Sequence, residues 1–479
     1  MEFQRVKKRP YLRQAEQKLH ERATRRLLSE TTLLACSIEE SQVSYIFKGR
    51  RQTERSSSLN RVMARESAID RLAYSGNDAA IARMQFSFNF DASLEASRRV
   101  RKLKAGAMML GLAVSVWFIA SAACGEETAP KFLGAASCNS SSCHGGASAE
   151  TKQYTVWSNY DVHHARPYAT LTTARSAQLA AAAKLGEPTQ NARCTVCHAP
   201  MATVPASRRA KGVEVNAGVS CENCHGPAEN WLRSHTRTDL KHGDKVALGM
   251  RDLKNLYARA NTCVACHQNV DSDLLAAGHP ELIFELDGQA VTMPKHWRES
   301  TNWHGAQAWL VGQAVALREM SWQSPPEKIP DENSVRRWAG LFWLVHEASA
   351  VDRTFAEVPG NLFSPTNNNL RRVLSGSDQL AQEVSALNWN PSLTKKWLDA
   401  LAGKADAFGG KTFSTELQGR QAERLVLALD RLVADLNLEK RCDAALNQLF
   451  KDVQSLPDFD PAVFAEHLSA FKAAVSQRQ

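Results

Sequence analysis

Cys194-Thr-Val-Cys197-His198, Cys221-Glu-Asn-Cys224-His225 and Cys263-Val-Ala-Cys266-His267 are three copies of one short pattern, Cys-x-x-Cys-His. A stretched fourth copy precedes them, Cys138-Asn-Ser-Ser-Ser-Cys143-His144. The pattern has a chemical reading. Two thiols can add across the two vinyl groups of one haem, which ties the ring to a short turn, and the adjoining imidazole then stands over one face and ligates the iron. Zinc ribbons also pair cysteines but need no histidine after every pair. Disulfides leave the four trailing histidines without a reason. The motifs therefore predict four covalent haem c groups. Cys138, Cys143, Cys194, Cys197, Cys221, Cys224, Cys263 and Cys266 are the attachment points, and His144, His198, His225 and His267 the proximal ligands. Of eleven cysteines, Cys36, Cys124 and Cys442 are left over, with no obvious structural disulfide among them.

Upstream lies Ala105–Ala123, AGAMMLGLAVSVWFIASAA, a stretch without one charge. It follows Arg98, Arg99, Arg101, Lys102 and Lys104 and ends in small residues, the pattern of a secretory signal peptide. The apolar core is slightly long for a signal, so an uncleaved membrane anchor is the other reading. In both cases everything after about residue 124 is expected to be exported or periplasmic. Haem c is attached outside the cytoplasm, so the compartment agrees with the motifs. Cys124 is a further candidate tether if lipidated, although Ser121 stands where a lipoprotein signal favours a larger apolar residue. Residues 1–104 read as a basic N-terminal extension. Met84 would open a signal of sensible length, so residues 1–83 are expected to be a gene-model extension.

The 479 residues carry a net charge of +9, with 43% hydrophobic and 23% charged residues, which excludes a disordered chain and a polytopic membrane protein. The basic balance is local. Residues 1–104 hold 22 Lys and Arg against 12 Asp and Glu, and the rest hold 37 against 38. Haem propionates would make the exported part acidic. Nucleic acid is thereby excluded as a partner, and redox proteins or a membrane quinol-linked complex are expected instead.

Each iron has a second face. Nine histidines remain after the four proximal ones and His20: His163, His164, His235, His242, His279, His296, His304, His346 and His467. His346 and His467 sit far downstream in amphipathic helical sequence and read as structural. The other seven fall among the motifs, enough for a histidine on both faces of every iron.

The stretch VWSNYDVHHARPYATL at 156–171 resembles the W…H-x-x-x-Y-x-x-L element of multihaem cytochromes of the cytochrome c-554 type. So do GVSCENCHGPAENWLRSH at 218–235, MRDLKNLYARANTCVACH at 250–267, AAGHPELIFEL at 276–286 and MPKHW at 293–297. The resemblance covers roughly residues 134–310 in order. It implies a tetrahaem cytochrome whose distal ligands are His164, His235, His279 and His296, with His242 and His304 in reserve. His164 is preferred to His163 because it keeps the spacing to Tyr168 and Leu171. No Cys-x-x-Cys-His follows His267, and nothing matches the Cys-x-x-Cys-Lys motif of pentahaem nitrite reductases.

The expected fold is mainly α: a multihaem domain of short helices and long loops over 124–304, then a helical domain over 305–479. In the first, macrocycles replace side-chain core, and Trp157, Trp231, Trp297 and Trp303 are expected at their edges. In the second, Leu310, Ala314, Leu317 and Met320, and again Leu425, Leu429, Leu432 and Leu436, recur at one-face helical spacing. Five to seven helices are expected there, with breaks at 390–392 and 408–410 and a loop at 364–369. No catalytic constellation is visible. The leading expectation is an electron carrier. Its rival is an oxidoreductase acting on a small nitrogen compound at one five-coordinate haem, and a third reading is a scaffold for a membrane redox complex.

Overall fold

The structure is a computed structural model that describes residues 129–479 except 269, 324–330, 361–363, 411, 478 and 479. The extension 1–104, the apolar segment 105–123, Cys36 and Cys124 lie outside the described residues. Pro130–Gln479 falls within one compact unit. The fold is mainly α-helical, and among the described residues the one extended pairing is a parallel bridge between Phe132 and Arg209. None of the described helices is long and apolar enough to cross a membrane.

Before residue 305 the helices are short: α1 Gln153–Tyr160, α2 Val162–Ala165, α3 Tyr168–Leu171, α4 Ala174–Ala182, α5 Ala192–His198, α6 Pro200–Thr203, α7 Cys221–His225 and α8 His242–Ala247. The series continues through α9 Leu256–His267, α10 Ser272–Ala276 and α11 Leu286–Thr292. Beyond it they lengthen: α12 Gly305–Trp322, α13 Glu332–Ser349, α14 Asn367–Ser385, α15 Pro391–Ala402, α16 Thr415–Asp435, α17 Glu439–Asp452 and α18 Pro461–Ser476.

Local chemistry sets the ends of these helices. The break at Asn390-Pro391 is a helix start: Asn390 Oδ1 accepts from the Ser392 and Leu393 amides at 3.0 and 3.2 Å, and proline takes the first helical position. The run 364–369 is loop only as far as Thr366. Its hydroxyl accepts from the Asn369 amide at 3.3 Å, so Asn367–Asn369 form the first turn of α14 rather than the expected loop.

Leu310, Ala314 and Leu317 of α12 and Leu425, Leu429 and Leu432 of α16 are fully buried. Both helices are enclosed nearly all round rather than on the one face the spacing predicts: Gly305 to Glu319 and Gln421 to Asp430 are buried throughout. The core runs across position 305. Leu256, Ala260 and Val264 of α9, together with Leu282, Phe284 and Leu286, belong to the same apolar cluster as the long helices. A polar network makes the same join, with Tyr257 donating to Asp378 at 2.6 Å and Arg318 to the Tyr257 hydroxyl at 3.0 Å. The helix that carries the fourth motif is thus built into the bundle.

Trp397 is wholly enclosed and donates its indole N–H to the Ala348 carbonyl at 3.0 Å. Trp397→Ala is expected to cost about 3–5 kcal/mol, read by denaturant unfolding. A loss under about 1 kcal/mol would contradict this packing.

Glu285 and Asp287, at the start of α11, face Arg431 of α16. Burial pushes both carboxyls up, to about 8 and about 6, against the pull of Arg431. A raised carboxyl means that the folded chain keeps a proton the unfolded chain has released. The stability it contributes is complete below the ordinary value of 4.5 and is lost as pH rises through about 8. Glu285→Gln should flatten that decline in thermal melts taken between about pH 5 and about pH 8; a slope equal to wild type would refute the assignment.

Candidate haem-binding region

Cysteines at i and i+3 and a histidine at i+4 share one face of a helical turn, so each regular motif aims three side chains the same way. The second motif ends α5, whose first turn is capped by Asn191, accepting from the Arg193 amide at 2.9 Å. The third is α7 itself, with Asn223 Oδ1 accepting from the Ser220 amide at 2.7 Å. The fourth closes α9, capped by Asn255.

The stretched first motif reaches its geometry differently. Ala135–Cys138 form a single 3-10 turn, and the chain loops out through exposed Asn139–Ser142. It returns so that the His144 amide donates to the Cys138 carbonyl at 3.2 Å. Gly145 makes the return possible, since a Cβ there would lie 1.8 Å from the Asn139 oxygen.

Imidazoles then come together across the chain. The His144 and His235 rings lie 6.1 Å apart between centres, and the His164 and His267 rings 6.0 Å apart. With about 2 Å from a metal to each imidazole nitrogen, and the ring centre roughly 1.2 Å beyond, two imidazoles sharing one iron stand roughly 6 Å apart. Both pairs therefore have room for one iron. Burial pushes the His225 imidazole down to about 4, and His296 is the next influence on it. At the second motif, Arg193 of α5 donates to Asp271 and Asp273 at 3.1 and 2.9 Å, which ties down the segment leading through α10 to His279.

Most of these rings are oriented through Nδ1. His144 meets the Gln153 amide oxygen at 3.0 Å, His198 the Pro167 carbonyl at 3.0 Å, His235 the Leu232 carbonyl at 2.6 Å and His279 the Pro280 carbonyl at 2.9 Å. An Nδ1–H given to oxygen leaves the ring lone pair on Nε2, the nitrogen a metal would take. His164 does the same toward the Asp161 carboxylate at 2.8 Å, whereas its neighbour His163 is exposed. The reserve His242 turns its Nε2 to Asp252 at 2.8 Å, and His304 opens α12 near Asp435. His346 and His467 bond within the C-terminal helices, to the Val358 carbonyl and to Asp452.

The surroundings fit a bulky apolar group. Between residues 130 and 250 the separate apolar cluster is Phe132, Met201 and Val204, with Val213 against it, and Leu179, Ala183 and Leu185 lean on the main core, which is thin support for such a span. Trp231 is buried edge-on to His235, and its indole N–H has no acceptor among the described residues. A haem propionate is the type of group such a donor lacks. Among the described residues no three His, Cys, Asp or Glu side chains converge as a zinc site would require. Of the other tryptophans, Trp157 donates to the Val219 carbonyl, Trp297 stands edge-on to His296 and Trp303 lies under Arg259.

Residues 137–226 match the family model of cytochrome c554 and c-prime. The match spans the first three motifs and His164, and it supports a c-type cytochrome carrying haem c. No curated protein and no solved structure matches the chain.

Sequence reasoning passed over two positioning groups. Glu222, inside the third motif, is fully buried and accepts from the amides of Leu133, Gly134 and Ala228 at 2.9, 2.6 and 2.7 Å. It clamps the approach to the first motif onto the third. Gly218, at φ 74°, lets the backbone before that motif close on the His164 carbonyl, where a Cβ would come within 2.6 Å. Glu222→Ala strips an acceptor from three amides at about 1–3 kcal/mol each. Hydrogen exchange should quicken at Leu133 and Gly134, and unchanged protection there would contradict the clamp.

Proposed function

We propose that this chain is an exported tetrahaem c-type cytochrome that carries electrons between redox partners through bis-histidine irons. The observation that carries the reading is two imidazole pairs, His144 with His235 and His164 with His267, each at the spacing of one shared iron. Bound haem c supplies a one-electron Fe(III)/Fe(II) couple. The protein's own residues do the rest. Cysteine pairs fix each ring to a turn, Nδ1 contacts hold the imidazoles in orientation, and a histidine on each face denies small molecules an open position. His296 with His225, and His279 beside the second motif, complete the proposed set. The proposed placement is periplasmic, resting on the cationic flank and apolar segment before residue 124, with residues 105–123 or Cys124 as tether. Redox proteins or a membrane quinol-linked complex are the proposed partners.

A pyridine haemochrome assay on the native protein is expected to give four haems per chain. Three would remove the Cys138, Cys143 and His144 site, and none would overturn the reading. Oxidised protein should show low-spin iron throughout and the reduced form no spectral change with carbon monoxide. A carbon monoxide-binding haem would favour the catalytic alternative.

A further inference from the structure

We propose that Asp161 holds the iron between His164 and His267 at a lower reduction potential than a neutral hydrogen-bond acceptor would. The proposal deepens the bis-histidine reading and rests on it. Asp161 is 2% exposed and points its Oδ2 at His164 Nδ1 from 2.8 Å. Its position is fixed by the backbone. The Asp161 carbonyl accepts from the His164 and Ala165 amides at 3.1 and 2.9 Å, so carboxylate and imidazole occupy one turn, three residues apart.

The contrast lies in the acceptor. His144, His198, His235 and His279 place Nδ1 against amide or carbonyl oxygens, which are neutral. A buried carboxylate draws the Nδ1 proton harder and makes Nε2 a stronger donor to the metal. Its charge also acts directly, favouring Fe(III) over Fe(II) through a poorly screened interior. Both effects have the same sign. With haem c bound, an electron that this iron takes from a reduced partner would be given up readily to a neighbouring ring.

The test is spectroelectrochemical titration of the intact holoprotein and its variants. Asp161→Asn keeps an oxygen for Nδ1 and removes the charge. One of the four one-electron steps should move upward, with at least a tenfold change in its Fe(II)/Fe(III) ratio at fixed potential, about 59 mV for one electron. Haem count and low-spin spectra should stay as in wild type. Asp161→Glu, which returns the charge, should restore the low potential. Unchanged potentials in Asp161→Asn, or an upward shift as large in Asp161→Glu, would overturn the proposal. Should Asp161→Asn fail to accumulate, near-infrared magnetic circular dichroism of wild type remains. One iron is expected to have a charge-transfer band displaced by the stronger imidazole donor, and four coincident bands would refute the role. Failure of the parent reading looks different, since it appears in wild type as missing haems or carbon monoxide binding.

Discussion

Two imidazoles on opposite faces of one iron must stand roughly 6 Å apart, and the proposed bis-histidine reading rests on two pairs that meet this constraint. His144 and His235 are distant in sequence, as are His164 and His267, yet each pair reaches that separation. Short helices, tight turns and a thin apolar core before residue 250 suit that reading. Long helices packed on one another would occupy the volume that flat macrocycles need. Glu222 and Gly218 act within the same constraint, one by gathering three amides and the other by omitting a side chain where two segments touch.

The motifs were legible because their chemistry is local. Two thiols and an imidazole within five residues carry their meaning without knowledge of the fold, and helical periodicity in α12 and α16 is equally self-contained. Pairing was not legible, because it depends on how distant segments meet. Asp161 could have been noticed: it lies three residues before His164, the spacing of neighbours on a helical turn. Glu222 gave no such hint, since the two positions between motif cysteines are filled by varied residues here, Thr-Val, Glu-Asn and Val-Ala. The run 364–369 misled through its composition, in which Thr366 serves as a cap and the asparagines as a first turn.

The C-terminal helices look detachable in sequence, because the motifs end at His267. Packing ties them in. Leu256, Ala260 and Val264 put one face of α9 into the core of the long helices, and the last turns of the same helix bear Cys263, itself packed against that core, with Cys266 and His267. A helix of Leu256–His267 is too short to persist alone, so the long helices supply the support on which the fourth motif depends.

That union of α9 with the bundle bears on the speed of electron transfer. When an iron gains or loses an electron, its surroundings readjust, and the cost of readjustment slows the step. Tyr257, Arg318 and Asp378 join α9 to two long helices at its first turn, and apolar side chains grip it further along. Under the proposed reading, His267 would be carried by a frame that hydrogen bonds and packing hold in place as the charge on its iron changes. The α-helical mass without a motif of its own would then serve electron transfer by keeping still.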